Sequence, residues 1–146
     1  MIRRATHDDW LRFERLGLKL HGMSVFKDIP VDKNVLFKQY MTAMQHAQMR
    51  MWVAEKGEEL TGFLLGCAQE FWWCRDRYAT DLAFYCEDPR DARPLLRAFE
   101  AWAWQVPRVK NVTLGVSSGM NMDRIGKLYG HLGYAQVGGL YVKERK

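Results

Sequence analysis

Residues 111–134 read NVTLGVSSGMNMDRIGKLYGHLGY, and this stretch decides the fold class of the chain. Its first part alternates apolar and small or polar residues, which predicts a buried β-strand through Val112, Leu114 and Val116. Small residues at 117–119 interrupt that strand. Apolar residues then recur at helical spacing, and Gly133 is of the type that ends a helix in the left-handed conformation. We therefore predict a strand, a short break and a helix.

The composition suits one folded domain over residues 1–146. Of these residues, 48% are apolar and 27% are charged, so a single unit can bury enough apolar surface to offset its ordering entropy. The longest apolar run, residues 63–68, is far shorter than the roughly 20 residues of a membrane-spanning helix. No apolar segment follows the two N-terminal arginines, so we expect neither a signal peptide nor a membrane partner.

The cysteines and histidines favour neither a metal site nor a disulfide framework. Cys67, Cys74 and Cys86 are odd in number and form no CxxC pair. The four histidines have no metal-ligand spacing relative to one another. We therefore expect no metal, and we expect a reducing compartment, the cytoplasm.

The formal net charge is +5, and basic residues cluster at both termini and around residues 90–97. A basic surface attracts polyanions, so a nucleic acid and a phosphorylated cofactor are two interpretations. An ordinary solvated surface is the third, and it is the one we favour for the terminal charges. Because no nucleic-acid-binding motif is visible, that partner ranks last.

The rest of the chain alternates helical and strand patterns. Thr6 and Asp9 form a near capping box, and Asp32 is a second N-cap. The predicted elements are strand 2–5, a helix from 6 to about 22, a helix from 32 to about 47, a hairpin that turns at 56–59, strand 78–86, a helix after Pro89, the strand and helix of 111–134, and strands 134–137 and 140–143. This order, β-α-α-β-β-β-α-β-α-β-β, predicts a mixed sheet with helices on both faces.

This order and three residues of the last helix resemble the GCN5-related N-acetyltransferase (GNAT) superfamily. Members carry an Asn that opens the last helix and a Tyr four residues before its terminating Gly, which here are Asn121, Tyr129 and Gly133. The resemblance covers the whole chain and implies an α/β (α+β) fold with a mixed, mostly antiparallel sheet. The short form looks like acetyltransferase-like proteins of bacteria and their phages.

The resemblance also implies a reaction, the transfer of acetyl from acetyl-CoA to an amine that attacks the thioester directly. The cofactor is then expected between the strand that ends at Cys86 and the strand that ends at Ser117, with Asn121 bonded to its amide arm. Tyr129 matches the acid that protonates the departing thiolate, a near-balanced transfer because phenols and thiols have similar pKa values. Taken without the family, Tyr129 is a partly buried helix residue and Asn121 a capping residue.

The family's phosphate-binding turn is matched poorly. Members carry Arg/Gln-x-x-Gly-x-Gly/Ala, whereas residues 87–92 read EDPRDA, and only Ala92 fits. The acidic side chains would repel a pyrophosphate, but Arg90 and Arg93, with Arg97 one helical turn further on, could bind phosphate in place of the glycine cradle. The alternative is an ordinary acidic helix start with exposed arginines behind it.

Two carboxylates are candidates for the base that accepts the proton of the amine. Asp81 matches a position where many family members carry a carboxylate that faces the substrate. Glu70, at the end of the preceding strand, is the second candidate. Either could instead be a strand residue that faces solvent.

Two groups of residues are candidates for binding the acceptor. Neighbours on a strand face opposite sides, so the aromatic run 71–73 cannot be buried as a whole, and Trp72 or Trp73 should line a cleft or an oligomer contact. His21 and Phe26, in the loop after the first helix, match the acceptor side of the family. Burial under the first helices and ordinary loop packing are the respective alternatives.

We therefore expect an acetyl-CoA-dependent N-acetyltransferase whose acceptor is an amine on a small molecule or a protein. The alternative is a catalytically degenerate relative that binds a partner or belongs to a virion. Exposed aromatic residues and short C-terminal strands also favour a homodimer.

Overall fold

The computed structural model describes residues 1–116 and 121–145. Its elements, in chain order, are β1 (Ile2–Arg4), α1 (Trp10–Met23), α2 (Lys33–Gln45), β2 (Met49–Lys56), β3 (Glu59–Glu70), β4 (Arg77–Cys86), α3 (Ala92–Gln105), β5 (Val109–Thr113) and α4 (Met122–His131). One turn of 3-10 helix precedes α1 and another precedes α3. None of the described helices is long and apolar enough to cross a membrane.

The five strands form one sheet in the order β1-β2-β3-β4-β5. Strands β1 to β4 pair with one another in antiparallel fashion, and β5 pairs in parallel with β4. A parallel neighbour requires a crossover connection, which α3 supplies. The predicted mixed, mostly antiparallel sheet is therefore confirmed.

Carboxylate caps determine where the helices begin, as the sequence predicts. Asp9 Oδ2 accepts a hydrogen bond from the backbone N–H of Thr6 at 2.9 Å. Asp32 Oδ1 accepts from the N–H of Asn34 at 2.9 Å, which satisfies one of the unpaired donors at the start of α2. At the hairpin between β2 and β3, Gly57 has a φ of +61°, which a residue without Cβ adopts at little cost.

Helices cover both faces of the sheet. On one face α1 and α2 pack on β2 and β3, where the buried ring of Phe13 stacks on Tyr40 and meets Phe63 edge to face. On the other face α3 packs on β2 and β3 through Phe99, and Tyr129 of α4 belongs to the same buried cluster. Gly66 lets α3 lie close to the sheet, because a Cβ there would be 2.5 Å from Cε2 of Phe99.

The two predicted C-terminal strands are wrong. The structure describes residues 132–145, and it places no strand in them. Large side chains of this segment are exposed, among them Val137 and Tyr141. A short hairpin interrupted by Gly138 and Gly139 is marginal without a sheet to extend, and β5 offers an edge of only five residues.

Candidate active site

The strands β4 and β5, at one edge of the sheet, part about halfway along β4. Their parallel pairing runs from Arg77 and Val109 to Thr80 and Thr113 and then stops, although β4 continues to Cys86. Just beyond, Gly66 of β3 pairs with Asp81 and Leu65 pairs with Ala83, so Leu82 is an extra residue in a β-bulge. A bulge bends its strand and aims nearby side chains in a new direction.

At this parting point, residues from two elements meet at Gly115. The N–H of Gly115 donates a hydrogen bond to Oδ1 of Asp81 at 2.9 Å. The phenol of Tyr129, on α4, donates to the carbonyl oxygen of Gly115 at 3.2 Å. The candidate base and the candidate acid, 48 positions apart in the sequence, are thus brought to one residue.

Burial changes the acidity of both groups. It raises the pKa of Asp81 above its usual range, against the opposing effect of the hydrogen bond from Gly115. A carboxylate with a raised pKa is a stronger base. Burial, and then the charge of Asp81, raises the pKa of Tyr129, so its phenol keeps its proton over the physiological range. It is also a weaker acid here than an ordinary phenol, so proton transfer to a thiolate is less balanced than the sequence alone predicts.

Cys86 ends β4 and packs against the side of the sheet that α3 covers. Burial, and to a smaller extent the charges of Asp91 and Asp88, raise the pKa of its thiol to about 12. Since the thiolate is the reactive form of cysteine, Cys86 is a packing residue in this structure.

The turn after β4 uses its backbone amides within itself. Asp88 Oδ1 accepts from the N–H of Arg90 at 2.9 Å, and the carbonyl of Asp88 accepts from the N–H of Asp91 at 3.0 Å. The N–H of Ala92 donates to the carbonyl of Pro89, which itself has no N–H. These are the donors that a phosphate group at this helix start would need.

The side chains of the turn are neutralised by the chain's own cations. Glu87 accepts from Arg15 at 3.1 Å and also binds Lys19, two cations of α1 that keep the pKa of Glu87 below its usual range. Asp88 binds Arg90 at 2.9 Å and also Lys56, which together keep its pKa low.

Two of the predicted cofactor-binding arginines differ in their surroundings. Arg90 is held by Asp88, as described above. Arg93 is exposed at the start of α3, and so is Arg97 one turn later. Within residues 1–116 and 121–145, neither Arg93 nor Arg97 forms an ion pair.

The residues therefore fit one end of acetyl-CoA and not the other. Around Gly115, a carboxyl group, a phenol and two parting strands suit a thioester and its amide arm. At residues 87–92, internally bonded amides and three carboxylates do not suit a pyrophosphate. Asn121 lies at the start of α4 with a φ of +49°, and its side chain makes no capping hydrogen bond. Ser117 lies outside the described residues.

The structure does not bring the four predicted acceptor-binding residues together. His21 lies in the last turn of α1 and not, as predicted, in the loop after the first helix, whereas Phe26 does follow the helix. Both come shortly after Lys19, which contacts Glu87 just past the end of β4. Trp72 and Trp73, which are 92% and 64% exposed, lie before the start of β4. The ten residues of β4 separate these ends by about 30 Å.

The alternative base, Glu70, lies away from the site. It is exposed at the end of β3 and pairs with Arg77, whereas Asp81 pairs with Gly66 four positions earlier on β3. Four positions along a strand correspond to about 13 Å. Among the described residues, no three His, Cys, Asp or Glu side chains are grouped so that they could hold a metal ion.

Sequence reasoning missed Gly115, the bulge at Leu82 and the ion pairs of Glu87. Nothing in the local sequence indicates that Gly115 binds both Asp81 and Tyr129, because this depends on the register of two strands. The Asp88–Pro89 pair did carry a signal, since Asp at an N-cap followed by Pro is typical of a self-capped helix start.

No protein-family model matches the chain, and no curated protein matches it. Solved structures do match it over nearly its whole length. A GNAT family acetyltransferase from Staphylococcus aureus is 18% identical with a TM-score of 0.63, over 99% of this chain and 98% of that one. A ribosomal-protein-alanine N-acetyltransferase from Brucella melitensis is 16% identical with a TM-score of 0.70, over 99% of both chains.

An aminoglycoside N-acetyltransferase in complex with CoA is 12% identical with a TM-score of 0.70, over 100% of this chain and 99% of that one. At such identities the likeness establishes the fold alone. The fold predicted from the element order and from the last helix is confirmed by these structures. The chain has the GNAT acetyltransferase fold.

Proposed function

We propose that this protein is an N-acetyltransferase in which an amine attacks the thioester of acetyl-CoA directly. The observation that carries the proposal is the convergence of Asp81 and Tyr129 on Gly115 at the point where β4 and β5 part. The neighbours named as acetyltransferases, one of them in complex with CoA, support it through the shared fold.

In this proposal each group has one role in proton transfer. The amine nitrogen bonds to the acetyl carbon as the carbon–sulfur bond breaks. Asp81 accepts the proton that the nitrogen loses, and its hydrogen bond with Gly115 orients the carboxyl group for this. Tyr129 donates its phenolic proton to the departing thiolate, and both residues are restored by exchange with water.

The acceptor is proposed only as an amine. One neighbour is an aminoglycoside acetyltransferase in complex with sisomicin and another is a ribosomal-protein-alanine N-acetyltransferase, so both small-molecule and protein amines occur on this fold. In this chain His21, in the last turn of α1, and Phe26, just after that helix, are the candidates for acceptor contacts on the α1 side.

The test is acetyl transfer itself. The protein is incubated with acetyl-CoA and, separately, a polyamine, an aminoglycoside, a lysine peptide and a peptide with a free N-terminus, and products are followed by mass spectrometry. We expect at least one acetylated amine. If no amine is acetylated while the protein is folded, the protein is a non-catalytic relative and the proposal is wrong.

We also propose that two copies associate through their C-terminal segments, in a reducing compartment such as the cytoplasm. In the part of the chain that the structure describes, β5 is paired on one side only, and Val137, Leu140 and Tyr141 are exposed. Unpaired strand edges and exposed apolar residues favour association. Light scattering should give the mass of two chains for the native protein. After removal of residues 140–146 it should give the mass of one chain. A native protein that is monomeric at all concentrations would contradict this proposal.

A further inference from the structure

We infer that this protein selects its acyl donor by the thioester and its amide arm alone, and that it uses pantetheine thioesters without a nucleotide as well as it uses acetyl-CoA. This inference rests on the proposed acetyl transfer and concerns which donors that site takes. The transfer is the one described above, with pantetheine thiol in place of CoA as the leaving group protonated by Tyr129.

The first reason lies in the backbone of the turn at residues 87–92. A phosphate is held at a helix start by N–H groups that have no other partner. Here the N–H groups of Arg90, Asp91 and Ala92 already donate to Asp88 and Pro89. The carboxylate of Asp88 thus occupies the position of an anion at the start of α3.

The second reason is the charge around the turn. Among the described residues, four cations form ion pairs with carboxylates of the turn: Arg15 and Lys19 bind Glu87, and Lys56 and Arg90 bind Asp88. A pyrophosphate would have to displace these carboxylates and then remain next to them. The turn therefore opposes a nucleotide diphosphate through both its donors and its charges.

The third reason is that the thioester end is built independently of the turn. Asp81, Gly115 and Tyr129 are hydrogen-bonded to one another, and among the described residues none of them forms a hydrogen bond or ion pair with residues 87–92. Asp81 and Cys86 are five positions apart on β4, a distance of about 17 Å. A donor can reach this site with its arm between β4 and β5 and leave the turn unused.

Arg93 and Arg97 provide the competing explanation. They are exposed and lie one turn apart on α3, where they could bind the phosphates of CoA outside the turn. In that case acetyl-CoA would be preferred, and the preference would disappear when both arginines are removed.

The deciding experiment compares kcat/KM for acetyl-CoA and for acetyl-pantetheine with the same amine. We expect the two values to agree within about threefold, and we expect adenosine 3′,5′-bisphosphate not to compete. A preference for acetyl-CoA above twentyfold overturns the inference while leaving acetyl transfer intact. Turnover of neither donor overturns the proposed function, and with it the inference.

Two variants sharpen the result. Asp88→Gly combined with Arg90→Gly frees the backbone N–H of residue 90, removes the carboxylate next to it, and should raise kcat/KM for acetyl-CoA tenfold or more, with acetyl-pantetheine as the internal control for folding. The double variant Arg93→Ala and Arg97→Ala should leave the ratio of the two donors unchanged. A selective loss of acetyl-CoA activity in that second variant would contradict the inference.

Discussion

Asp81 and Tyr129 bind the two polar groups of a single residue, the N–H and the C=O of Gly115, at 2.9 Å and 3.2 Å. Asp81 comes from a strand and Tyr129 from the last helix, and neither residue alone indicates an active site. Their shared partner places a carboxyl group of raised pKa and a phenol that keeps its proton on either side of the gap between β4 and β5.

Replacement of Tyr129 by Phe should lower kcat for acetyl transfer more than tenfold with little change in the KM for the donor. The variant removes the proton donor to the thiolate but keeps the ring in the core, and the lost hydrogen bond to Gly115 costs only about 1 kcal/mol of stability. Steady-state kinetics and thermal unfolding measure the two effects separately.

Tyr134→Phe is the matched control for this change. Tyr134 packs beside Tyr129 with ring centroids 6.0 Å apart, but its phenol donates to Glu100 rather than to Gly115. Loss of the Tyr134 hydroxyl should leave kcat within about twofold of the native value. Equal rates in the two variants would remove Tyr129 from the mechanism.

Asp81→Asn should slow transfer and at the same time stabilise the protein at pH 7. Because burial raises the pKa of Asp81 above its unfolded value, its contribution to stability is present below that value and is lost as the pH rises through the folded pKa. The amide can still accept from Gly115 without a buried charge. Thermal unfolding should show that the variant is more stable than the native protein at pH 7 and that this difference in stability decreases toward acid pH.

The pH dependence of activity distinguishes a base from a purely structural carboxylate. In the native protein kcat/KM should fall on the acid side as Asp81 takes up a proton, and this limb should be absent from the residual activity of Asp81→Asn. An unchanged acid limb in the variant would assign the base to another group.

Asp9→Asn should lower the free energy of unfolding by about 3 kcal/mol at pH 7, the lower part of the range for breaking a buried ion pair. Asp9 is 1% exposed and is bound by Arg3 at 2.8 Å and by Arg12 at 2.5 Å, which hold its pKa well below its usual range. That contribution is present above the unfolded pKa of 3.8 and is lost as the pH falls through the folded value.

The control for Asp9 is its exposed neighbour. Asp8→Asn removes the same charge one position earlier, where the side chain faces solvent, and should change stability by less than about 0.5 kcal/mol. Denaturant unfolding at pH 7 and again below pH 4 measures both variants. A constant deficit of Asp9→Asn down to low pH would show that charge is not the cause.

Gly66→Ala and Gly126→Ala should shift stability in opposite directions. A Cβ on Gly66 would meet Phe99 at 2.5 Å, so overpacking should cost about 1–3 kcal/mol. A Cβ on Gly126, inside α4, meets nothing within 4 Å, so the gain in helix propensity should stabilise by about 0.5–1 kcal/mol. Thermal unfolding of the pair checks the packing of α3 on the sheet.

The sequence determined the local features by itself. Caps at Asp9 and Asp32, the turn at Gly57 and the helix end at Gly133 are each specified by one or two adjacent residues, and all lie where they were predicted. The spacing of apolar residues along the chain predicted the order of the helices and strands up to α4, and that order was enough to predict the fold.

Only the tertiary structure decided how the distant parts combine. The meeting of Asp81 and Tyr129 at Gly115 depends on the register of β4 against β5, which single residues do not encode. The same is true of Glu87, which is neutralised by Arg15 and Lys19 from a helix 68 to 72 positions away. Patterns along the chain report local conformation, whereas charge pairing and active-site geometry arise from contacts that only the folded chain creates.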